Sequence, residues 1–137
     1  MKYRRFGRTN LKIPILSLGG MRFQKSWDRL DFSEISYEEQ NKLENILNLA
    51  NKYGLSHVET AKYYGTSEVQ LGMGFKNTNK IPNIIQTKIP PNSDPTIFEK
   101  DVMTSIEKLK VKKIDLLAIH GINTCLLYTS PSPRDCQ

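Results

Sequence analysis

The chain reads as an α/β protein: four βα units with a parallel sheet under helices, preceded by a short hairpin, the arrangement of part of a (β/α)8 TIM barrel. Three observations predict it. Short apolar runs alternate four times with helical stripes, and a parallel sheet joined by right-handed crossovers accommodates that alternation with short connections. Periodicity leaves an open doubly wound sheet and a barrel both standing. However, the first run ends in Gly19-Gly20-Met21 instead of the G-x-G-x-x-G that cradles a pyrophosphate in a Rossmann unit, which tilts the choice toward a barrel. The 137 residues suffice for one domain with a core but fall short of the roughly 250 of a complete barrel.

The elements follow in order. Residues 3–12 hold the turn formers Gly7, Arg8, Thr9 and Asn10 between β-capable flanks, which predicts a hairpin. Residues 13–18 (IPILSL) are an apolar run ending in two glycines, the pattern of a buried parallel strand. Residues 21–35 form a long connection with Phe23, Trp27 and Phe32, whose aromatics read as loop packing before substrate lining. Ser36-Tyr37-Glu38-Glu39 has the spacing of a capping box, in which the two side chains satisfy each other's orphan backbone donors. The helix it starts carries Leu43, Ile46, Leu47, Ala50 and Tyr53 on one face and stops at Gly54.

His57-Val58-Glu59-Thr60-Ala61 predicts the second strand, and Thr66-Ser67-Glu68 opens a shorter helix carrying Val69, Leu71 and Phe75. Residues 84–88 (IIQTK) predict the third strand. Asp94-Pro95 supplies an N-cap and a first-turn proline for a helix with the stripe Phe98, Val102, Ile106 and Leu109. Residues 114–120 predict the fourth strand. The folded body is expected over 1–124. From Cys125 the chain runs CLLYTSPSPRDCQ without periodicity, a disordered or non-native tail that resembles a sequencing-library adapter translated in frame.

Composition narrows the function. Charged residues make up 25%, no apolar run approaches the roughly 20 residues of a membrane span, and no secretory h-region follows the basic start, so a cytoplasmic protein without a membrane partner is expected. The net charge of +6 comes from dispersed lysines and arginines without a nucleic-acid motif, which argues against a nucleic-acid partner. Both cysteines, Cys125 and Cys136, fall in the tail. The body therefore has no disulfide and no Cys-ligated metal.

In a (β/α)8 barrel the reactive groups collect at the C-terminal ends of the strands. Glu59 lies in the second strand and is followed by Tyr64-Gly65, Lys88 ends the third, and His120 ends the fourth. Together they make a proton-delivery device for a carbonyl. An ammonium favours the phenolate and so lets Tyr64 act as an acid near neutrality, Glu59 holds Lys88, and His120 donates to the substrate oxygen. The hydride must come from a cofactor. Singly, each residue has a plainer reading: a solvated lysine, a packed loop tyrosine, a core histidine, a structural Glu59–Lys88 bridge. His57, at the strand's beginning, reads as structural.

The motifs E-T-A-x-x-Y-G at Glu59 to Gly65, T-K at Thr87-Lys88 and D-L-L-x-x-H at Asp115 to His120 resemble the aldo-keto reductases, as do FGRTNLKIPILSLGGMRF and GTSEVQLG. The resemblance implies the N-terminal half of the barrel and a catalytic tetrad carried onto Glu59, Tyr64, Lys88 and His120. It also implies NADPH as the usual hydride donor, with NADH the alternative, a small carbonyl substrate, and Gly20, Met21 and Glu59 at the cofactor pocket. Most members have aspartate where Glu59 stands. The chain is most similar to a branch with H-x-E-T-A, some of whose members add a C-terminal iron–sulfur segment; such a cluster would belong to a part absent from this sequence. Half a barrel is expected to be inactive alone. The rival reading is a nucleotide-binding regulatory or redox-sensing subunit with the same barrel and no useful turnover.

Overall fold

The computed structural model describes residues 1–28 and 30–121; the expected domain end at 124 and the tail lie outside the described residues. Strands β1 (Tyr3–Arg5) and β2 (Lys12–Pro14) pair antiparallel as the hairpin. Strands β3 (Leu18–Gly19), β4 (His57–Glu59), β5 (Ile84–Ile89) and β6 (Leu116–Ile119) form one parallel sheet whose spatial order is their chain order. Helices α1 (Tyr37–Lys52), α2 (Ser67–Thr78) and α3 (Pro95–Leu109) are the connections. A doubly wound sheet reverses its strand order at a switch point. This sheet advances in one direction throughout, which is the winding of a barrel.

One face of the sheet meets the helices. Val58 and Ile85 are buried there against Leu43 and Leu47 of α1, Leu71 and Phe75 of α2 and Leu109 of α3. Because side chains alternate along a strand, His57 and Glu59 on β4 and Gln86 and Lys88 on β5 point to the opposite face, the future barrel interior. The strands keep adding hydrogen bonds toward the site: Thr60 N–H donates to Gln86 O at 2.9 Å and Lys62 N–H to Lys88 O at 3.0 Å. Helices α2 and α3 approach so closely that Gly72 has no room for a Cβ beside the backbone of Lys108 and Leu109.

Three expectations need correction. The run at 13–18 is not one buried strand: Lys12–Pro14 pairs with β1, Leu18–Gly19 enters the parallel sheet, and Ile15 and Leu16 between them are exposed. A continuous apolar run does not specify its pairing partner, and here it serves two sheets in succession. The capping box forms only in part. Ser36 Oγ accepts from Glu39 N–H at 3.3 Å, but Glu39 Oε1 accepts from Lys25 N–H at 3.0 Å and Gln70 Nε2 at 3.1 Å. The long connection folds over that carboxylate and takes it away from the cap. In α1 only Leu43, Leu47 and Ala50 of the expected stripe are buried, whereas Ile46 is exposed, as is Tyr53, which caps the helix from outside it.

Several signals are realised as read. Gly54 takes φ +73 after α1, and Asp94 caps α3 through Thr96 N–H at 2.8 Å ahead of Pro95. Leu109 is fully buried, while Phe98, Val102 and Ile106 are partly covered.

Candidate active site

The four titratable residues converge at the C-terminal end of the sheet. Glu59 is the last residue of β4, and the chain then turns: Tyr64 N–H donates to Ala61 O at 3.0 Å and Ser67 N–H to Tyr64 O at 2.9 Å. Gly65 sits in this turn at φ +51. A Cβ there would stand 2.6 Å from Ser26 O and 3.0 Å from Trp27 Cα, so glycine is required by both angle and space. The turn swings the Tyr64 phenol over β5, where Lys88 Nζ donates to Tyr64 Oη at 2.6 Å. The same ammonium is paired with Glu59 Oε1 and lies 4.6 Å from the Tyr64 ring centroid. The extra methylene of Glu59 relative to aspartate therefore still allows the carboxylate to reach the lysine.

His120 follows β6, its N–H bonded to Ile89 O at 2.8 Å. Its ring meets that of Tyr64 edge-on, with centroids 5.6 Å apart. Nδ1 is buried without a hydrogen-bond partner among the described residues. Burial, and then the Lys88 charge, hold this imidazole below its ordinary pKa, so it is neutral at pH 7. Burial likewise pulls the Lys88 ammonium below its usual range. A partly desolvated ammonium between a carboxylate and a phenol can stabilise negative charge on the phenol oxygen, while a neutral imidazole alongside can donate a hydrogen bond.

Gly20 and Met21 lie at the exit of β3. Gly20 is buried, its N–H donating to Glu59 O at 2.7 Å, and a Cβ would stand 2.8 Å from Ser67 Oγ and 3.0 Å from Thr60 Oγ1. Its glycine is thus required for packing against β4 and α2. Met21 is half-buried. His57 lies two residues before Glu59 on the interior face, bonded through Nδ1 to Ser17 Oγ at 2.7 Å and through Nε2 to Gln86 Oε1 at 3.2 Å. Burial lowers its pKa, with the Gln86 hydrogen bond opposing.

Sequence reasoning read Trp27 as loop packing but did not place it on the tyrosine. Trp27 meets Tyr64 edge-on at 6.3 Å between centroids, and Gln24 Nε2 donates to Tyr64 O at 3.2 Å, so the long connection packs on the turn. Nor did it single out Glu68, buried at 3% exposure and accepting from Thr87 Oγ1 at 2.7 Å. One signal was available: Glu68, Leu71 and Phe75 recur at helical spacing, which places a carboxylate on the buried stripe of α2.

A parallel sheet that advances in one direction, with a carboxylate, phenol, ammonium and imidazole gathered at its C-terminal edge, is part of a (β/α)8 barrel rather than a doubly wound open sheet. The chain belongs to the aldo/keto reductase family, whose family model matches residues 15–126. Solved structures agree in fold. An aldo-keto reductase described as putative from Pseudomonas aeruginosa is 23% identical with a TM-score of 0.75, covering 93% of this chain and 51% of its own. A thermostable aldo-keto reductase crystallised with the inhibitor epalrestat is 27% identical with a TM-score of 0.68, covering 90% of this chain and 44% of its own. A silkworm (Bombyx mori) aldo-keto reductase is 21% identical with a TM-score of 0.56, covering 80% and 33%. No curated protein sequence matches. The chain spans about half the length of the first two solved relatives, so its four-stranded sheet corresponds to half of a barrel.

Proposed function

We propose that this chain, with its folded body over residues 1–124, is the N-terminal half of a cytoplasmic, NADPH-dependent aldo-keto reductase that reduces small aldehydes or ketones. The observation that carries the reading is the Lys88 ammonium held between Glu59 Oε1 and Tyr64 Oη. Tyr64 gives its proton to the carbonyl oxygen as a hydride reaches the carbonyl carbon. Lys88 stabilises the phenolate left behind, and Glu59 keeps the ammonium in place and balances its charge. Neutral His120 donates a hydrogen bond to the same oxygen and fixes the carbonyl against the phenol. Water then returns a proton to Tyr64.

A nicotinamide cofactor supplies the hydride when bound, with NADPH the preferred form. The donor set fits that division of labour: it holds an acid, a cation and an imidazole whose buried Nδ1 has no partner among the described residues, and it has no hydride source of its own there. Met21, the backbone at Gly20 and the Glu59 carboxylate would border the nicotinamide. The H-x-E-T-A motif, with Glu59 in place of aspartate, supports a place in the branch of which some members carry a C-terminal iron–sulfur segment. The residues from 125 are a non-native tail in this reading, and the half-barrel by itself has little or no activity, since the later loops that grip the dinucleotide are missing.

Carbonyl-dependent oxidation of NADPH by the full-length protein tests the assignment. Tyr64→Phe, which removes only the phenolic oxygen, is expected to lower kcat by roughly 100- to 10,000-fold, the usual share of a positioned acid. Full activity in that variant removes Tyr64 from the mechanism.

A further inference from the structure

Behind the ion pair, on the helix side of the sheet, lies a second polar cluster that contacts neither substrate side nor solvent. Thr60 directly follows Glu59, and its Oγ1 is 2.6 Å from Ser67 Oγ. Thr87 directly precedes Lys88, and its Oγ1 donates to Glu68 Oε1 at 2.7 Å. Thr60, Ser67 and Thr87 are fully buried and Glu68 nearly so. Ser67 and Glu68 are the first two residues of α2, and Ser67 N–H is bonded to Tyr64 O at 2.9 Å. One helical turn therefore holds the backbone carrying all three members of the Tyr64–Lys88–Glu59 cluster.

We infer that Ser67 and Glu68 form a positioning clamp: two outward threonines, pinned by the first turn of α2, set the inward aim of their strand neighbours Glu59 and Lys88 while the same turn carries Tyr64. The inference rests on the reading of Tyr64 and Lys88 as the acid and its activator. Alternation along a strand supplies the coupling, because fixing the rotation of one residue about the strand axis fixes the next residue on the opposite face. The chemistry argues for the directional role. A carboxylate and three hydroxyls in a site this dry are costly unless they bond one another, and apolar side chains of similar size would fill the space at lower cost. What the hydroxyls add over apolar packing is a fixed direction. Gly20 completes the arrangement, since only a residue without Cβ lets β3 close on Ser67 and Thr60.

The test uses the full-length protein. Thr87→Val and Thr60→Val each remove one hydroxyl at nearly constant volume, and Thr87→Ser and Thr60→Ser restore it. Steady-state carbonyl reduction is measured together with the titration of the Lys88 ε-methylene followed by carbon-13 NMR. Each valine variant is expected to lose ten- to a hundredfold in kcat with KM changed by less than about threefold, the range for a misaimed reacting group. Its Lys88 titration shifts as well, and serine recovers both readouts. Thr60 and Thr87 act through different pins, so if one valine variant fails to fold the other still decides the matter. Valine variants that lose thermal stability but keep kcat and the Lys88 titration of the parent overturn the clamp. If Tyr64→Phe proves fully active, Tyr64 is not the acid and that reading fails, while the Lys88 titration still reports whether the pins aim that lysine.

Discussion

Gly72→Ala is expected to separate α2 from α3 and weaken the fold. A Cβ at position 72 would stand 2.1 Å from Lys108 O, 2.8 Å from Leu109 C and 3.0 Å from Leu109 O. Ordinary contact begins near 3.4 Å, so the helices must part by about 1.3 Å at this point, and a gap above about 1 Å forfeits roughly half or more of the dispersion energy of the atoms concerned. All three obstacles are backbone at the end of α3, and no rotamer change relieves them. The side chain adjoining them, Leu109, is fully buried with Leu71, Phe75, Val58 and Ile85. Overpacking of this kind costs roughly 1–3 kcal/mol and sometimes more. Alanine returns about 1 kcal/mol of helix propensity. The net loss is then about 1–2 kcal/mol, which corresponds to a fall in Tm of roughly 3–8 °C for a chain of this size. Gly74→Ala in the same helix is the control, because its Cβ would meet the tip of Leu47 at 2.6 Å, a flexible side chain that can turn aside. Thermal and denaturant unfolding of the two variants at equal concentration should rank Gly72→Ala well below Gly74→Ala. Equal stability, or the reverse order, refutes the claim that backbone contact fixes the helix spacing.

Two further predictions concern charge and the tyrosine turn. His57 and His120 both have pKa values below the ordinary 6.5 through burial, so between those values and 6.5 the unfolded chain binds more protons than the folded one. Stability is therefore full above pH 6.5 and falls as the pH drops through the folded pKa values; unfolding free energies measured from pH 7.5 to 5 should show a positive slope, and a flat profile would contradict it. Lys88, also lowered by burial, carries the same sign at alkaline pH, where stability rises as the pH climbs from its folded value toward 10.5. Gly65→Ala must relieve a φ of +51 and a 2.6 Å clash with Ser26 O, so it should cost about 1–3 kcal/mol and loosen Trp27 from Tyr64. The protein has a single tryptophan, so a changed Trp27 emission reads this directly, and an unchanged spectrum counts against it.

Local signals in this chain were legible where they act through the backbone alone. Gly54 at positive φ and the Asp94-Pro95 start of α3 are of this kind, as is the fourfold alternation behind the parallel sheet. Signals that depend on a distant partner were not. Glu39 has the spacing to complete a cap on Ser36, yet its carboxylate is claimed by Lys25 N–H and the Gln70 amide, 14 residues before it and 31 after it. The split of residues 13–18 between two sheets has the same origin. Apolar character shows that a segment is buried or paired, whereas the partner is set by tertiary geometry that a short window does not contain.

The candidate site shows the same division. Strand-end reasoning brought Glu59, Lys88 and His120 to one edge because strand register is nearly rigid: Lys88 stands beside Ala118 and Gln86 beside Glu59 in the parallel ladder. Tyr64 is different. It belongs to a turn, and its phenol reaches Lys88 only because Gly65 permits the backbone angle, the residues around Trp27 press on that glycine, and Ser67 holds the Tyr64 carbonyl. A register argument can bring three side chains to one rim. Fixing a fourth to within a hydrogen bond of them requires, besides the turn into α2, contacts from the loop before α1, where Gln24 stands 40 residues from the tyrosine. The aim of the proposed acid is therefore the feature most exposed to substitutions outside the four-residue cluster.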